Sequence, residues 1–148
     1  MSDNSKRLVI LGASSHGQVV LDICRDLQTD VAGFLEDTLD VGYKVLDSEV
    51  IGGFELLANA DFLETFEFIV GIGGSQNARR KWSETVLGRG GRLRTIVHPS
   101  SSVSRFARLG QGALIWPKVT ILHAVDVGDY CVIASNSSIG DQSSLGTN

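Results

Sequence analysis

The chain has 148 residues, of which 43% are hydrophobic and 20% charged, a balance typical of a globular protein with a buried core. This length is enough for one ordinary domain or two small ones. The formal net charge is −4, and no lysine and arginine cluster favours a nucleic acid or an anionic membrane as a partner.

The cysteines and the N-terminal segment indicate the cellular compartment of the protein. Cys24 and Cys131 lie in apolar stretches without CxxC or Cys/His spacing, so we expect buried free thiols, a reducing compartment and no metal site. The N-terminal segment MSDNSKR is polar, and no apolar run reaches membrane-spanning length. These features predict a cytoplasmic protein.

The first elements follow the order strand, glycine-bounded loop, helix, strand. Residues 6–11 (KRLVIL) predict a buried parallel strand, and the loop GASSHG (12–17) leads into an amphipathic helix, QVVLDICRDL (18–27). A second strand, VAGFL (31–35), follows after a short connection. This order implies a right-handed parallel crossover, as in half of a dinucleotide-binding fold.

The first glycine loop is a candidate phosphate site, because its glycines permit a tight turn and a helix N-terminus attracts anions. The pattern is GxxxxG rather than GxGxxG, so a standard dinucleotide is not indicated, while a nucleotide or nucleotide-sugar stays open. The alternative is a turn without a ligand. Glu36 and Asp37 close the second strand where a ribose hydroxyl is often held. His16 could contact a ligand or only pack against the turn.

A second glycine-rich loop follows another predicted strand. TFEFIVGIGG (65–74) predicts a buried strand, and Ser75 is a plausible N-cap of the helix that follows, with Gly88 or Gly90 as its stop. Neighbouring strand ends of this kind form the ligand crevice of an open α/β sheet. Arg79 and Arg80 could reach a phosphate there, or they could be solvated surface charges.

The stretch RLRTIVHPSS (92–101) predicts a last strand leading out of the sheet, with His98 as a junction residue. The predicted domain boundary lies at Pro99.

From Val103 onward the sequence divides into hexads, each of which begins with an aliphatic residue. A period of six fits neither a helix nor a continuous strand, and it predicts a coil of short strands separated by tight turns.

Four motifs in this order, VILGASSHGQVV, FLED, VGIGGSQNARRK and IVHPSSSVS leading into hexads, resemble the sialic acid O-acetyltransferase family. That family includes N-acetyltransferases acting on UDP-4-amino sugars, such as bacillosamine- and perosamine-type enzymes. The resemblance covers essentially the whole chain. It implies a Rossmann-like parallel α/β domain over residues 1–99, followed over residues 100–148 by a left-handed parallel β-helix of hexapeptide repeats. It also implies homotrimers that bind acetyl-CoA between subunits.

The resemblance places a nucleotide-sugar site, with a UDP-sugar expected, on the two glycine loops and the acidic turn. The implied binding residues are Gly12, Ala13, Ser14, Ser15, His16, Gly17, Glu36, Asp37, Gly71, Ile72, Gly73 and Gly74. This set agrees with the crevice inferred from the strand ends.

The catalytic position departs from the family pattern. Family members typically carry a histidine followed by an acidic residue in one hexad, and aligning that hexad places Asp141 and Gln142 there. A carboxylate with a pKa of about 4 is a weak base at neutral pH. His123 lies three hexads before Asp141 at the same hexad position. If three hexads make one coil, the two residues stack about 4.8 Å apart, and Asp141 could orient His123 as the base. Alternatively, His123 is a surface imidazole and the chain lacks a base.

The leading hypothesis is therefore transfer of an acetyl group from acetyl-CoA to an amine or hydroxyl of a nucleotide-linked sugar for surface-glycan synthesis, without a metal. The alternative is a nucleotide-sugar-binding or assembly module without catalysis. It is favoured by the missing histidine and by hexads that stop at Asn148 where the family continues, so we expect the β-helix to be incomplete. A nucleotidyltransferase is a third option, against which the short GASSHG loop argues.

Overall fold

A five-stranded sheet forms the first part of the computed structural model, which describes residues 6–148. Its strands are β1 (Leu8–Leu11), β2 (Val31–Leu35), β3 (Lys44–Val45), β4 (Ser48–Gly52) and β5 (Glu67–Val70). The strand order is β3-β4-β2-β1-β5. All pairs are parallel except the β3–β4 hairpin at the edge. The crossover from β1 to β2 follows the sequence prediction.

Helices cover both faces of this sheet. They are α1 (Ser15–Asp26), a 3₁₀ helix (Phe54–Ala58), α2 (Ala60–Thr65) and α3 (Gln76–Gly88). Alternate residues of β1 serve two separate cores, since Leu8 packs with the apolar face of α1 and Val9 packs with that of α3. Strand β1 is fully buried, which explains its unbroken apolar sequence. No helix among residues 6–148 is long and apolar enough to cross a membrane.

The hexads form a coil of two-residue strands. The strands are β6 (Ile96–Val97), β7 (Ser102–Val103), β8 (Arg108–Leu109), β9 (Leu114–Ile115), β10 (Thr120–Ile121), β11 (Asp126–Val127), β12 (Val132–Ile133), β13 (Ser138–Ile139) and β14 (Ser144–Leu145). They make three parallel sheets, β12-β9-β6, β13-β10-β7 and β14-β11-β8. Each strand therefore lies on the strand three hexads earlier. The lead aliphatic residues fill a core of their own inside the coil.

One residue at each corner of the coil adopts a left-handed backbone conformation. From Gly112 onward these residues recur at intervals of six, and they are Gly112, Lys118, Ala124, Tyr130, Asn136, Gln142 and Asn148, with φ between +45° and +74°. A residue with a side chain costs about 1–2 kcal/mol in this conformation relative to the right-handed one. The corners of the coil are thus built alike although their residue types differ.

The coil begins before Pro99. Leu93 makes a single bridge to Phe68 of β5, after which Ile96 donates its N–H to Ala113 and β6 pairs with β9. Residues 92–101, predicted as one strand leaving the sheet, are therefore shared between the sheet and the coil. Ile96 also packs in the core beneath α1, so the two parts of the chain share a buried contact. The division at residues 1–99 and 100–148 stays a prediction.

Candidate functional site

The two glycine loops lie against each other because β1 and β5 are neighbours in the sheet. A methyl group added to Gly17 would lie 2.0 Å from the carbonyl oxygen of Gly12, and one added to Gly71 would lie 2.8 Å from the Cα of Gly17. No side chain fits at such distances, so glycine is required for this approach. The structure thus brings together the two loops that the sequence places at one crevice.

A cavity of about 320 Å³ opens between these loops and the coil. Residues of the loops and the coil line it, among them Ser14, Ser15, His16, Gly73, Gly74 and Trp116. Its volume falls at the lower end of the range for small-molecule sites, roughly 300–1,000 Å³. The N-terminus of α1 faces this region, its first turn carries no acidic residue, and Ser14 makes no side-chain capping bond in the described chain. The free N–H groups of that turn suit an anion.

His16 is held between the second glycine loop and the coil. Its ring centroid lies 5.2 Å from that of Trp116, and a methyl group on Gly73 would lie 2.6 Å from its Nδ1. Burial, and then the positive charge of Arg79, lower the pKa of His16 below its ordinary value of 6.5. The imidazole is therefore neutral at physiological pH and can offer both a donor and an acceptor nitrogen.

Two buried nitrogens at this contact have no hydrogen-bond partner within residues 6–148. They are Nε2 of His16 and Nε1 of Trp116. Leaving such a group unpaired costs about 1–3 kcal/mol. Sequence reasoning missed Trp116, because the hexad pattern marks which residues point into the coil but not which corner meets the sheet. Its aromatic residue type, directly after the lead Ile115, was the available signal.

The two acidic residues after β2 hold the backbone around the site. Glu36 accepts hydrogen bonds from the N–H of Ala13 at 3.2 Å and from the N–H and hydroxyl of Thr38. Burial raises the pKa of Glu36, but these hydrogen bonds outweigh it and the pKa is lowered. Asp37 accepts the N–H of Phe54 at 2.8 Å at the start of the 3₁₀ helix. The described lining of the cavity includes neither carboxylate.

Arg79 is buried, with 7% of its surface exposed, whereas the adjacent Arg80 is exposed. Of the two roles considered for these arginines, the solvated one is therefore wrong for Arg79. The reason is the helix period, which turns Arg79 inward together with Ser83 and Val86. Its Nη1 lies 3.4 Å from the carbonyl oxygen of Ile72 in the second glycine loop.

His123 and Asp141 stack in consecutive turns of the coil. Ile121 pairs with Ile139 two residues before them, and the N–H of Gln142 donates to the His123 carbonyl. Both side chains are exposed, and the ion pairs of residues 6–148 include none between them. They follow β10 and β13, while Trp116 follows β9, so within one chain they occupy a different corner of the coil from the cavity.

Asp26, His98 and Ser100 form a second polar group, at the junction of sheet and coil. His98 Nε2 lies 2.8 Å from the Asp26 carboxylate, and its Nδ1 lies 2.8 Å from the Ser100 hydroxyl. The order of contacts resembles a hydrolase triad. However, the N–H of Ser100 already donates to Nδ1, and the Ser100 hydroxyl accepts the N–H of Lys118. The group fastens α1 to the first coil turn, in agreement with the junction role expected for His98.

Comparison with known proteins identifies relatives of both parts of the chain. The family model of the PglD N-terminal domain matches residues 7–86, and that of the bacterial transferase hexapeptide (six repeats) matches residues 106–141. GDP-perosamine N-acetyltransferase of Escherichia coli O157:H7 is 30% identical, in a match covering 89% of this chain and 63% of that protein. The chain thus spans less than two thirds of the length of this curated relative.

Solved structures agree with these matches. The acetyltransferase domain of PglB from Neisseria gonorrhoeae FA1090 in complex with acetyl coenzyme A has a TM-score of 0.89 at 26% identity, covering 97% of this chain and 69% of that chain. A mutant of perosamine N-acetyltransferase from Caulobacter crescentus in complex with CoA and GDP-perosamine has a TM-score of 0.86 at 26% identity, covering 95% and 65%. The predicted fold class, a Rossmann-like sheet followed by a left-handed parallel β-helix of hexapeptide repeats, is confirmed.

Proposed function

The chain belongs to the PglD N-terminal domain family, and on this basis we propose that it acts in transfer of an acetyl group from acetyl-CoA to the amine of a nucleotide-linked sugar. The observation that carries the proposal is the cavity between the two glycine loops and Trp116, at the N-terminus of α1. The relatives support it, since one is named as an N-acetyltransferase of GDP-perosamine and another was solved with acetyl coenzyme A.

The sugar nucleotide binds, in this proposal, with its diphosphate at the N-terminus of α1. Of the predicted binding residues, Ser14, Ser15, His16, Gly73 and Gly74 line the cavity. His16 is neutral and supplies a hydrogen bond to the ligand. Glu36 and Asp37 do not contact the ligand in this proposal; they accept backbone hydrogen bonds from Ala13 and Phe54 and so hold the adjoining backbone in place. The sequence led us to expect a UDP-sugar, but the relatives that name a nucleotide name GDP, so a GDP-sugar is the first candidate.

The chemical step is attack of the sugar amine on the thioester carbonyl. The new C–N bond forms, the C–S bond breaks, and the thiolate of CoA leaves and takes up a proton. His123 accepts the proton that the amine loses, and Asp141, stacked one coil further on, orients the imidazole. The step needs no metal, because a thioester is already reactive toward an amine. His123 faces solvent at its corner, which leaves it accessible to the reactants.

We further propose that a neighbouring subunit completes the site. The cavity and the His123 corner lie apart in one chain, so a sugar bound in the cavity of one subunit would reach the base of the next. This arrangement agrees with the homotrimer implied by the family resemblance. The free buried thiols Cys24 and Cys131 suit a reducing compartment, so we also propose that the protein acts in the cytoplasm, in the synthesis of a surface polysaccharide.

The experiment that tests the proposal is incubation with acetyl-CoA and a GDP- or UDP-linked amino sugar, with product detection by mass spectrometry. We expect an acetylated sugar nucleotide and its loss in His123→Ala. Asp141→Asn should lower the rate by about a hundredfold or more if it orients the base. Unchanged turnover in both variants would sink the His123–Asp141 assignment.

A non-catalytic binding module is the second candidate. It is favoured by the solvent-exposed His123 and Asp141, which share no ion pair within residues 6–148. Calorimetric titration separates the two functions. Binding of a sugar nucleotide without binding of acetyl-CoA supports the module, whereas binding of both together with product formation supports the enzyme.

A further inference from the structure

We infer that Arg79 is a positioning residue for the diphosphate of the sugar nucleotide, acting from beneath the second glycine loop, and that the bound diphosphate is its counter-charge. The inference rests on the proposed function, because it requires a sugar nucleotide in the cavity. It adds to that function a residue that does not itself line the cavity.

The guanidinium of Arg79 is a buried charge without a carboxylate partner in the described chain. Four other arginines form ion pairs, namely Arg7, Arg25, Arg94 and Arg108. Arg79 does not, although it is 7% exposed and they are more accessible. Its Nη1 reaches one carbonyl oxygen at 3.4 Å, and its buried Nε has no partner within residues 6–148. Burying a cation without a counter-charge is unfavourable, so a compensating anion is expected nearby.

The second glycine loop connects Arg79 to the cavity. The carbonyl that faces Nη1 belongs to the peptide joining Ile72 to Gly73. A cation on a carbonyl oxygen polarises that peptide and makes the N–H at its other end, here that of Gly73, a stronger donor. Gly73 lines the cavity and packs on the imidazole of His16. The positive charge is therefore transmitted to the wall of the cavity through one peptide group.

The charge of Arg79 also reaches the cavity through space. It contributes, after burial, to the lowered pKa of His16, so its field is felt at a residue that lines the cavity. The lining residues themselves are serine, neutral histidine, valine, glycine and tryptophan, which carry no charge at neutral pH. The charge of Arg79, which lies in α3, and the positive end of α1 thus both raise the electrostatic potential in the cavity, and both favour an anion there.

A purely structural role predicts different behaviour. If Arg79 only held the Ile72 carbonyl, its loss would loosen the loop and weaken every ligand alike. If it serves an anion, its replacement by an apolar side chain of similar length removes an unpaired buried charge, which is neutral or stabilising for the fold. The same replacement then weakens only the negatively charged part of the ligand. The two roles differ in which ligands are affected.

The test compares Arg79→Met and Arg79→Lys with Arg80→Met, a matched control on the same helix whose side chain is exposed. Calorimetry at low salt measures binding of GDP and UDP and of the uncharged guanosine and uridine. For the diphosphate that the unmutated chain binds, we expect a loss of about tenfold in Arg79→Met, with the nucleoside affinity unchanged within about twofold. Arg79→Lys should keep most of the affinity, and Arg80→Met should match the unmutated chain. The melting temperature of Arg79→Met should not fall.

Equal losses for nucleoside and diphosphate in Arg79→Met would overturn the inference, as would an unchanged diphosphate affinity. Either result leaves the proposed function standing, because the unmutated chain still binds its nucleotide. Absence of GDP and UDP binding by the unmutated chain would overturn the proposed function and the inference together. If Arg79→Met does not fold, Arg79→Gln replaces it in the same comparison with Arg79→Lys and is judged by the same criteria.

Discussion

Gly73 and Gly74 are adjacent glycines with opposite surroundings, and this contrast yields a sharp prediction. A methyl group on Gly73 would lie 2.6 Å from Nδ1, 2.7 Å from Cγ and 2.9 Å from Cβ of His16. On Gly74 it would meet no atom of residues 6–148 within 4 Å. Neither glycine has a positive φ, so alanine is compatible with the backbone at both. Gly73→Ala therefore tests the packing on His16, and Gly74→Ala is its control.

The size of the effect follows from the overlap. Ordinary contacts between carbon atoms are about 3.5–4.0 Å, so the imidazole must move by roughly 1 Å. The overlap includes the Cβ of His16, so rotation of the ring alone does not relieve it. Overpacking of this kind costs about 1–3 kcal/mol. We expect Gly73→Ala to lose that much unfolding free energy, and Gly74→Ala to stay within about 0.5 kcal/mol of the unmutated chain.

Urea unfolding measures the free energies, and tryptophan fluorescence reports the local movement. The chain has two tryptophans, so a Trp82→Phe background leaves the emission of Trp116 alone. Since Trp116 packs 5.2 Å from His16, its emission should change in Gly73→Ala and not in Gly74→Ala. Equal stability of the two variants, with the same Trp116 emission, would refute the account of His16 as a ring held between loop and coil.

Three more predictions follow from the structure. The lowered pKa of His16 means that the unfolded chain takes up the proton first, so unfolding free energy should fall as the pH drops below 6.5 and fall less in His16→Gln. Identical pH profiles by urea unfolding would contradict this. Ala124→Gly should raise the melting temperature, because Ala124 has φ +57°, while Ala113→Gly, at a buried position, should lower it. Burial raises the pKa of Cys24 to about 11, so alkylation at pH 8 should require unfolding, and rapid labelling of the native chain would show otherwise.

The repeating parts of the structure were predictable from sequence because they depend on local patterns. The unbroken apolar run of β1 predicts a strand buried on both faces, and the hexads predict a coil of short strands; the structure has both. The stacking of His123 over Asp141 also follows from the hexad count alone. Their role in catalysis stays a prediction.

The features that sequence did not reveal depend on how separate elements meet. The position of Trp116 beside His16 depends on which corner of the coil faces the sheet, and no local pattern encodes that choice. Glu36 was expected at a ribose but accepts hydrogen bonds from the first loop and from Thr38. Arg79, Ser83 and Val86 form the buried face of α3. Because Arg79 and Ser83 are polar, the sequence did not mark this face as buried.

The regular corners of the coil restrict how its length can change. An inserted or deleted residue between two corners would displace every later lead aliphatic from the core and move the left-handed positions onto residues that do not tolerate them. Insertion of three complete hexads leaves each strand above an equivalent strand, since Ile121 pairs with Val103 and Ile139 in the same way. Related chains should therefore differ in this region by whole coils, or carry extra residues as loops that project from a corner.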